Sequence, residues 1–235
     1  MAEQGRRDQR VAAGQAPAVP GQGTPGRPVS RSTRRLPRSF FARPSPEVGP
    51  DLLGRILARR LGDGTLLTAR IVETEAYQED DPASHSYRGR TNRTEVMFGP
   101  PGHAYVYFTY GMHHCVNVVT GSSGEGSAVL LRAAEPLEGL EEMARRRGTD
   151  DPRALCSGPG RLCQAMGIAR NENGVDLVRG RELWLLEGSP VPASGIGVGP
   201  RVGITSGTER PWRFSVRGDR YVSRVRPAEP VRGSR

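Results

Sequence analysis

Apolar residues recur at Val48, Leu52, Leu53, Ile56 and Leu57, a spacing that predicts a helix over Pro46 to Arg60 ending before Gly62. Gly62-Asp63-Gly64 reads as a turn, and Leu66 to Tyr77 as a strand. Residues 78–101 have no apolar period and read as a long polar loop closed by Gly99-Pro100-Pro101-Gly102, a kind of segment usually either functional or mobile. Strands are expected over His103 to Tyr110, His114 to Thr120 and Ala128 to Ala133, with turns at Gly111 and over Gly121 to Gly126; their order suggests an antiparallel meander. From Pro136 to Arg147 a stripe of Leu137, Leu140, Met143 and Ala144 predicts a helix with proline near its start. A short helix is expected from Ser157-Gly158-Pro159, carrying Leu162, Cys163 and Met166, and late strands over Leu183 to Leu186 and Trp212 to Val216. The pattern implies a single α+β domain with a curved antiparallel sheet and short helices.

The ends break the pattern. Residues 1–37 mix Gly, Pro, Gln, Ser and Arg without period and read as a disordered leader; residues 38–228 are then the domain and 229–235 a disordered tail. A hydrophobic share of 35%, with 31 Gly and 20 Pro, fits a loop-rich fold. No apolar run is long enough to cross a bilayer, and no secretory signal is visible, so no membrane partner is expected. Cys115, Cys156 and Cys163 lack the paired spacing of a disulfide framework and suit a reducing compartment. The expectation is a cytoplasmic monomer, nucleoid-associated if bacterial.

The net charge of +9 invites a nucleic-acid reading, but its distribution weakens the inference. Residues 1–38 carry eight Arg against Glu3 and Asp8, residues 217–235 six Arg against Asp219 and Glu229, and the stretch between is close to neutral. Basic ends raise non-specific DNA affinity through phosphate contacts, or are simply solvated; charge alone leaves the two readings even. All 34 basic residues are arginine. Arginine forms no Schiff base, so a covalent mechanism through a lysine amine is excluded and only the N-terminal amine could substitute.

Three stretches hold candidate chemistry. On the strand over Leu66 to Tyr77, Glu73, Glu75 and Tyr77 share one face. A ring two residues from a carboxylate can stack on a flat substrate while the carboxylate orients a water. A solvated polar face is the commoner explanation of such a segment by itself. In Tyr105-Val106-Tyr107-Phe108-Thr109-Tyr110, Tyr105 and Tyr107 share one face, and Tyr110 stands beside the Gly111 turn, where a large side chain could wedge into a base stack; packing within a sheet is the commoner role. Arg132 ends an apolar strand, where a charge usually seeks a carboxylate. His85 and Asn117 are each more often structural hydrogen-bonders than ligand groups. Four histidines and three cysteines show no zinc-ligand spacing, and no Gly-rich nucleotide fingerprint occurs, so neither metal nor cofactor is expected. Ser157-Gly158-Pro159-Gly160 fits an ordinary helix cap as well as a phosphate cradle.

Together these stretches resemble the alkylpurine type of 3-methyladenine DNA glycosylase. The resemblance is carried by Arg70 to Tyr77, Tyr105 to Asn117, Val129 to Gly139, Leu155 to Ala165 and Arg213 to Gly218, and runs from about Ser39 to about Val225. It implies double-stranded DNA with damaged purines as partner, docking on the minor groove, and a flipped nucleotide. It further implies that Glu75 deprotonates the attacking water with Arg132 helping to hold it, and that Tyr77 and Tyr107 sandwich the base with His85 assisting. Asn117 would stand where a normal guanine's amino group clashes. Tyr110 would fill the hole in the duplex, flanked by Met112 and His113, the latter standing where some relatives carry tyrosine.

Flipping costs a few kcal/mol, and aromatic stacking returns roughly 1–3 kcal/mol per base, so two stacking tyrosines and a wedge can offset it. A cationic alkylated purine leaves readily, so one general base suffices where glycoside hydrolases usually pair two carboxylates; Glu73 is expected to be structural only. A neutral base such as hypoxanthine needs a proton whose donor the sequence does not name. The rival reading is a module that binds damaged DNA, or RNA, without cutting it, in which Glu75 is idle.

Overall fold

The computed structural model describes Met1, residues 34–109 and residues 111–224. The wedge candidate Tyr110, most of the expected leader and all of the expected tail lie outside the described residues. Residues 34–36 join the sheet margin: Arg35 bridges Leu186, the Leu36 amide donates to the Leu185 carbonyl, and Leu36 is buried.

Two short helices, α1 (Arg38–Phe41) and α2 (Ser45–Asp51), precede strands β1 (Ile56–Arg60) and β2 (Leu66–Tyr77). Then come β3 (Ala104–Thr109), β4 (His113–Val119), β5 (Ala128–Glu138), helices α3 (Leu140–Arg147), α4 (Pro152–Leu155) and α5 (Pro159–Met166), and strands β6 (Leu183–Leu186), β7 (Ile196–Gly199) and β8 (Arg213–Val216). The eight strands form one antiparallel sheet in the order β3-β4-β5-β2-β1-β6, with β8 pairing to β2 and β7 to β8. This is the expected α+β architecture, and β3-β4-β5 is the expected meander. The long loop after β2 holds two 3-10 turns, His85–Arg88 and Glu95–Phe98. Among the described residues, no helix is long and apolar enough to cross a membrane.

Two expectations are corrected. The helix expected over Pro46 to Arg60 stops at Asp51, and Ile56–Arg60 is a strand. Apolar residues at 52, 53, 56 and 57 fit a helix face, but they equally fit a strand covered on both sides. Ile56, Leu57 and Ala58 are all buried between β2 and β6. The helix expected from Pro136 begins at Leu140, because β5 runs on to Glu138. Pro136 lies beyond the stretch that β4 covers, where a strand tolerates proline. Gly139 then makes the corner with φ 75°; a Cβ there would lie 2.3 Å from Leu67 Cδ2 and 2.8 Å from the Leu66 carbonyl oxygen. Strand β7 escaped the sequence reading because Ile-Gly-Val-Gly is only four residues long and half glycine, a residue depleted in strands.

The core lies between the sheet and its helices: α5 packs on β4 and β5, α3 and α4 on α5, and α2 on β2. Buried Phe41, Leu53, Leu57, Leu67, Ile71, Leu131, Met143 and Leu162 fill it. Thr74 Oγ1 donates to the Gly49 carbonyl at 2.9 Å, so α2 covers the Thr74 face of β2. The opposite face, with Glu73, Glu75 and Tyr77, is turned elsewhere.

Candidate active site

Glu73 and Glu75 are fully buried, which rules out the solvated-face reading of β2. Three donors converge on Glu75: Tyr77 Oη at 2.8 Å and Arg132 Nη1 at 3.2 Å on Oε2, and the Val202 backbone N–H at 2.7 Å on Oε1. Glu73 accepts from Arg132 Nε at 3.1 Å, Arg213 Nε at 2.6 Å and the Ser223 N–H at 2.8 Å. Arg132 therefore spans both carboxylates, the partnership its place on an apolar strand called for.

The sheet is irregular at this point. Along β2 and β5 the register slips between Ile71 and Glu73 and slips back between Glu73 and Thr74, leaving Val72 and Arg132 without ladder partners. Such irregularities re-aim side chains near functional sites, and here the slip frames the Glu73–Arg132–Glu75 bridge.

Glu75 and Arg132, but not Glu73, open on a cavity of about 630 Å³. Glu75, Tyr77, His85, Tyr107, Asn117 and Arg132 all line it, although they come from β2, the long loop, β3, β4 and β5. The volume suits a purine with part of its sugar. One wall is aromatic: the His85 and Tyr107 rings meet edge to face at 4.5 Å, and Tyr105 lies 5.6 Å from Tyr107. His85 Nδ1 is 3.0 Å from Tyr105 Oη, and its Nε2 is 3.3 Å from Arg93 Nη2. Desolvation against this wall, then the Arg93 charge, push the His85 pKa down to about 4, although the residue's outer edge is open to solvent. Burial, then Glu75, raise the Tyr77 pKa well above the usual phenol value, so its hydroxyl stays a donor. Asn117 is buried and gives Nδ2 to the Tyr105 carbonyl at 3.0 Å.

At the rim, His113 lines the cavity against the start of α5, where a Cβ on Gly160 would lie 2.9 Å from its ring. Met112 does not line it and stands in the β3–β4 turn at 69% exposure, with Phe108 also exposed. Apolar side chains presented to water beside the mouth suit insertion into another molecule. Sequence reasoning missed Val202, whose contribution is a backbone N–H, and Arg93, and it placed Tyr105 beside Tyr107 without its bond to His85. No residue-type pattern marks a backbone donor from a distant loop.

The methylpurine-DNA glycosylase family model matches residues 39–220. The chain belongs to the methylpurine-DNA glycosylase family. It is thus a DNA glycosylase, in a family of hydrolases that act on N-glycosyl bonds. Among its relatives, a protein of Carboxydothermus hydrogenoformans named "Putative 3-methyladenine DNA glycosylase" is 51% identical over 189 residues, 80% of this chain and 98% of the relative. Proteins of the same name from Chlorobaculum parvum and Burkholderia lata are 50% identical over 198 residues and 55% identical over 193 residues. These cover 84% and 80% of this chain, and 94% and 90% of the relatives. Family membership and the cavity residues meet in the same region, since the match spans every strand of the sheet.

Proposed function

We propose that this DNA glycosylase is monofunctional and excises alkylated or deaminated purines from double-stranded DNA. The single observation that carries the reading is that Glu75 and Tyr77, neighbours on one face of β2, open together on a cavity large enough to admit a purine. Residues 38–228 are read as one catalytic domain. Exposed Met112, with His113 and Tyr110, would enter the duplex and take the place of the extruded nucleotide.

In the cavity the base would stack between Tyr77 and Tyr107, with His85 at its edge. A water beside Glu75 attacks C1′ of the deoxyribose and gives its proton to the carboxylate. The electron pair of the N-glycosidic bond passes to the purine nitrogen. An alkylated purine cation thereby leaves as a neutral base, with no acid to protonate it. Arg132 and the Val202 N–H fix the carboxylate in place. Asn117, held by the Tyr105 carbonyl, faces the base and excludes the amino group of undamaged guanine.

Mass spectrometry of bases released from methylated, deaminated and undamaged duplexes tests the proposal. Damaged purines should be released, leaving intact abasic sites. With no lysine in the chain, borohydride should trap no protein–DNA adduct. The Glu75→Gln variant should lose about 10²–10⁴-fold in release rate while still binding DNA. Near-normal release by that variant would sink the assignment.

A further inference from the structure

Arg201 and Asp81 form an ion pair whose side chains are both fully buried, and no step of the reaction uses it. Arg201 donates to both Asp81 carboxylate oxygens, to the Ala76 carbonyl at 2.9 Å and to the Gly207 carbonyl at 3.0 Å. The guanidinium also lies over two rings, 4.7 Å from the Tyr77 centroid and 5.5 Å from that of Trp212. Arg210 lies over Trp212 in turn, at 4.6 Å. The result is an alternating series of rings and guanidinium groups, Tyr77, Arg201, Trp212 and Arg210. Tyr77 lines the cavity and Arg201 does not, so the guanidinium backs the ring from the side away from the cavity.

The pair fixes three separate parts of the site. Through Ala76 and the Tyr77 ring it holds the end of β2. Asp81 Oδ1 accepts from the Ala83 N–H at 3.1 Å, and the Asp81 carbonyl accepts from the Ser84 N–H at 2.8 Å; this turn leads directly into His85. The residue after Arg201 is Val202, whose N–H holds Glu75. The far side of the pair allows no side chain: a Cβ on Gly207 would lie 2.6 Å from Asp81 Oδ1, at a φ of 61°. A buried ion pair gains little net stability over apolar residues of the same volume, so a fully buried one on this spot calls for another reason.

We propose that Arg201 and Asp81 are positioning residues for base excision, a clamp that backs the Tyr77 ring and delivers the Val202 amide to Glu75. The proposal rests on the roles given to Tyr77 and Glu75 above. Its test is the paired replacement Asp81→Leu with Arg201→Met, which removes both charges together and leaves no orphan charge in the interior. Three quantities are measured: thermal melting, affinity for a duplex with an abasic-site analogue, and the single-turnover rate of base release from methylated duplex. The expected result is a folded protein with affinity within about threefold of the native chain and a release rate lower by about 30-fold. In a Tyr77→Leu background the same replacement should cost less than about tenfold, because the ring it supports is gone. A purely structural role would give the same factor in both backgrounds, and that result, or a retained rate, overturns the clamp. If the paired variant does not fold, Arg201→Lys takes its place in the same cycle, keeping the charge and losing the planar fork, with an expected loss of about tenfold. Absence of release by the native chain would overturn the functional reading and the clamp with it; release by the native chain with an unaffected variant overturns the clamp alone.

Discussion

Tyr77 Oη donates a hydrogen bond to Glu75 Oε2 at 2.8 Å, two residues back along the same strand. The strand period puts both side chains on one face, and the bond ties the Tyr77 ring to the carboxylate beside it. Tyr77→Phe keeps the ring and removes this donor. The freed carboxylate loses a locating bond, and in the proposed mechanism its placement is what holds the water in line. Single-turnover release should fall about tenfold, with binding to a duplex holding an abasic analogue unchanged. A rate at or above that of the native chain would show that the hydroxyl does not locate the base.

Glu73 holds the same network from below. Burial alone would raise its pKa, but Arg132, the Ser223 amide and Arg213 outweigh burial and bring it below the ordinary 4.5. A carboxylate with a lowered folded-state pKa adds stability above its unfolded value and loses it as pH falls through the folded one. Glu73→Gln leaves two guanidinium groups without their shared charge and should cost about 3 kcal/mol at neutral pH. Urea denaturation from pH 7 to pH 3 should show the variant losing less stability on acidification than the native chain; parallel curves would contradict this.

His85 should stay neutral throughout the physiological range, since its pKa is about 4. The Arg93 charge is the second cause of that depression, after desolvation. Arg93→Ala should raise the pKa only part of the way toward the unperturbed 6.5, because desolvation remains, so the ring charges at a higher pH than in the native chain and release declines from that higher pH on acidification. An NMR titration of the four histidines follows the change directly, and an unmoved His85 signal would rule it out.

Asn117 should govern discrimination and leave the chemical step alone. Asn117→Ser shortens a side chain that lines the cavity and gives up its bond to the Tyr105 carbonyl. Release of undamaged guanine relative to a methylated purine should rise by about tenfold, the scale on which removing one small steric conflict acts. Competition between the two duplexes in one reaction measures the ratio, and an unchanged ratio would remove Asn117 from the selectivity argument.

The alternation on β2 and the run of tyrosines on β3 made Glu75, Tyr77 and Tyr107 legible as candidates, because strand geometry alone puts residues two apart on one side. The helix over Pro46 to Arg60 misled for the opposite reason: β1 is covered on both faces, and a doubly buried strand carries no alternation to read. Composition fixed one chemical limit before any coordinate, since a chain whose 34 basic residues are all arginine has no lysine amine to offer a sugar.

What residue order alone determined was local: which side chains share a strand face, where turns fall, and which reactions lack a nucleophile. The tertiary structure decided what those side chains meet. Arg132 reaches both carboxylates across the slip between β2 and β5, Val202 brings a backbone amide from 127 residues away, and Arg201 lies behind Tyr77. Contacts of that range depend on how the sheet pairs and how its loops close, and no periodicity along the chain encodes them.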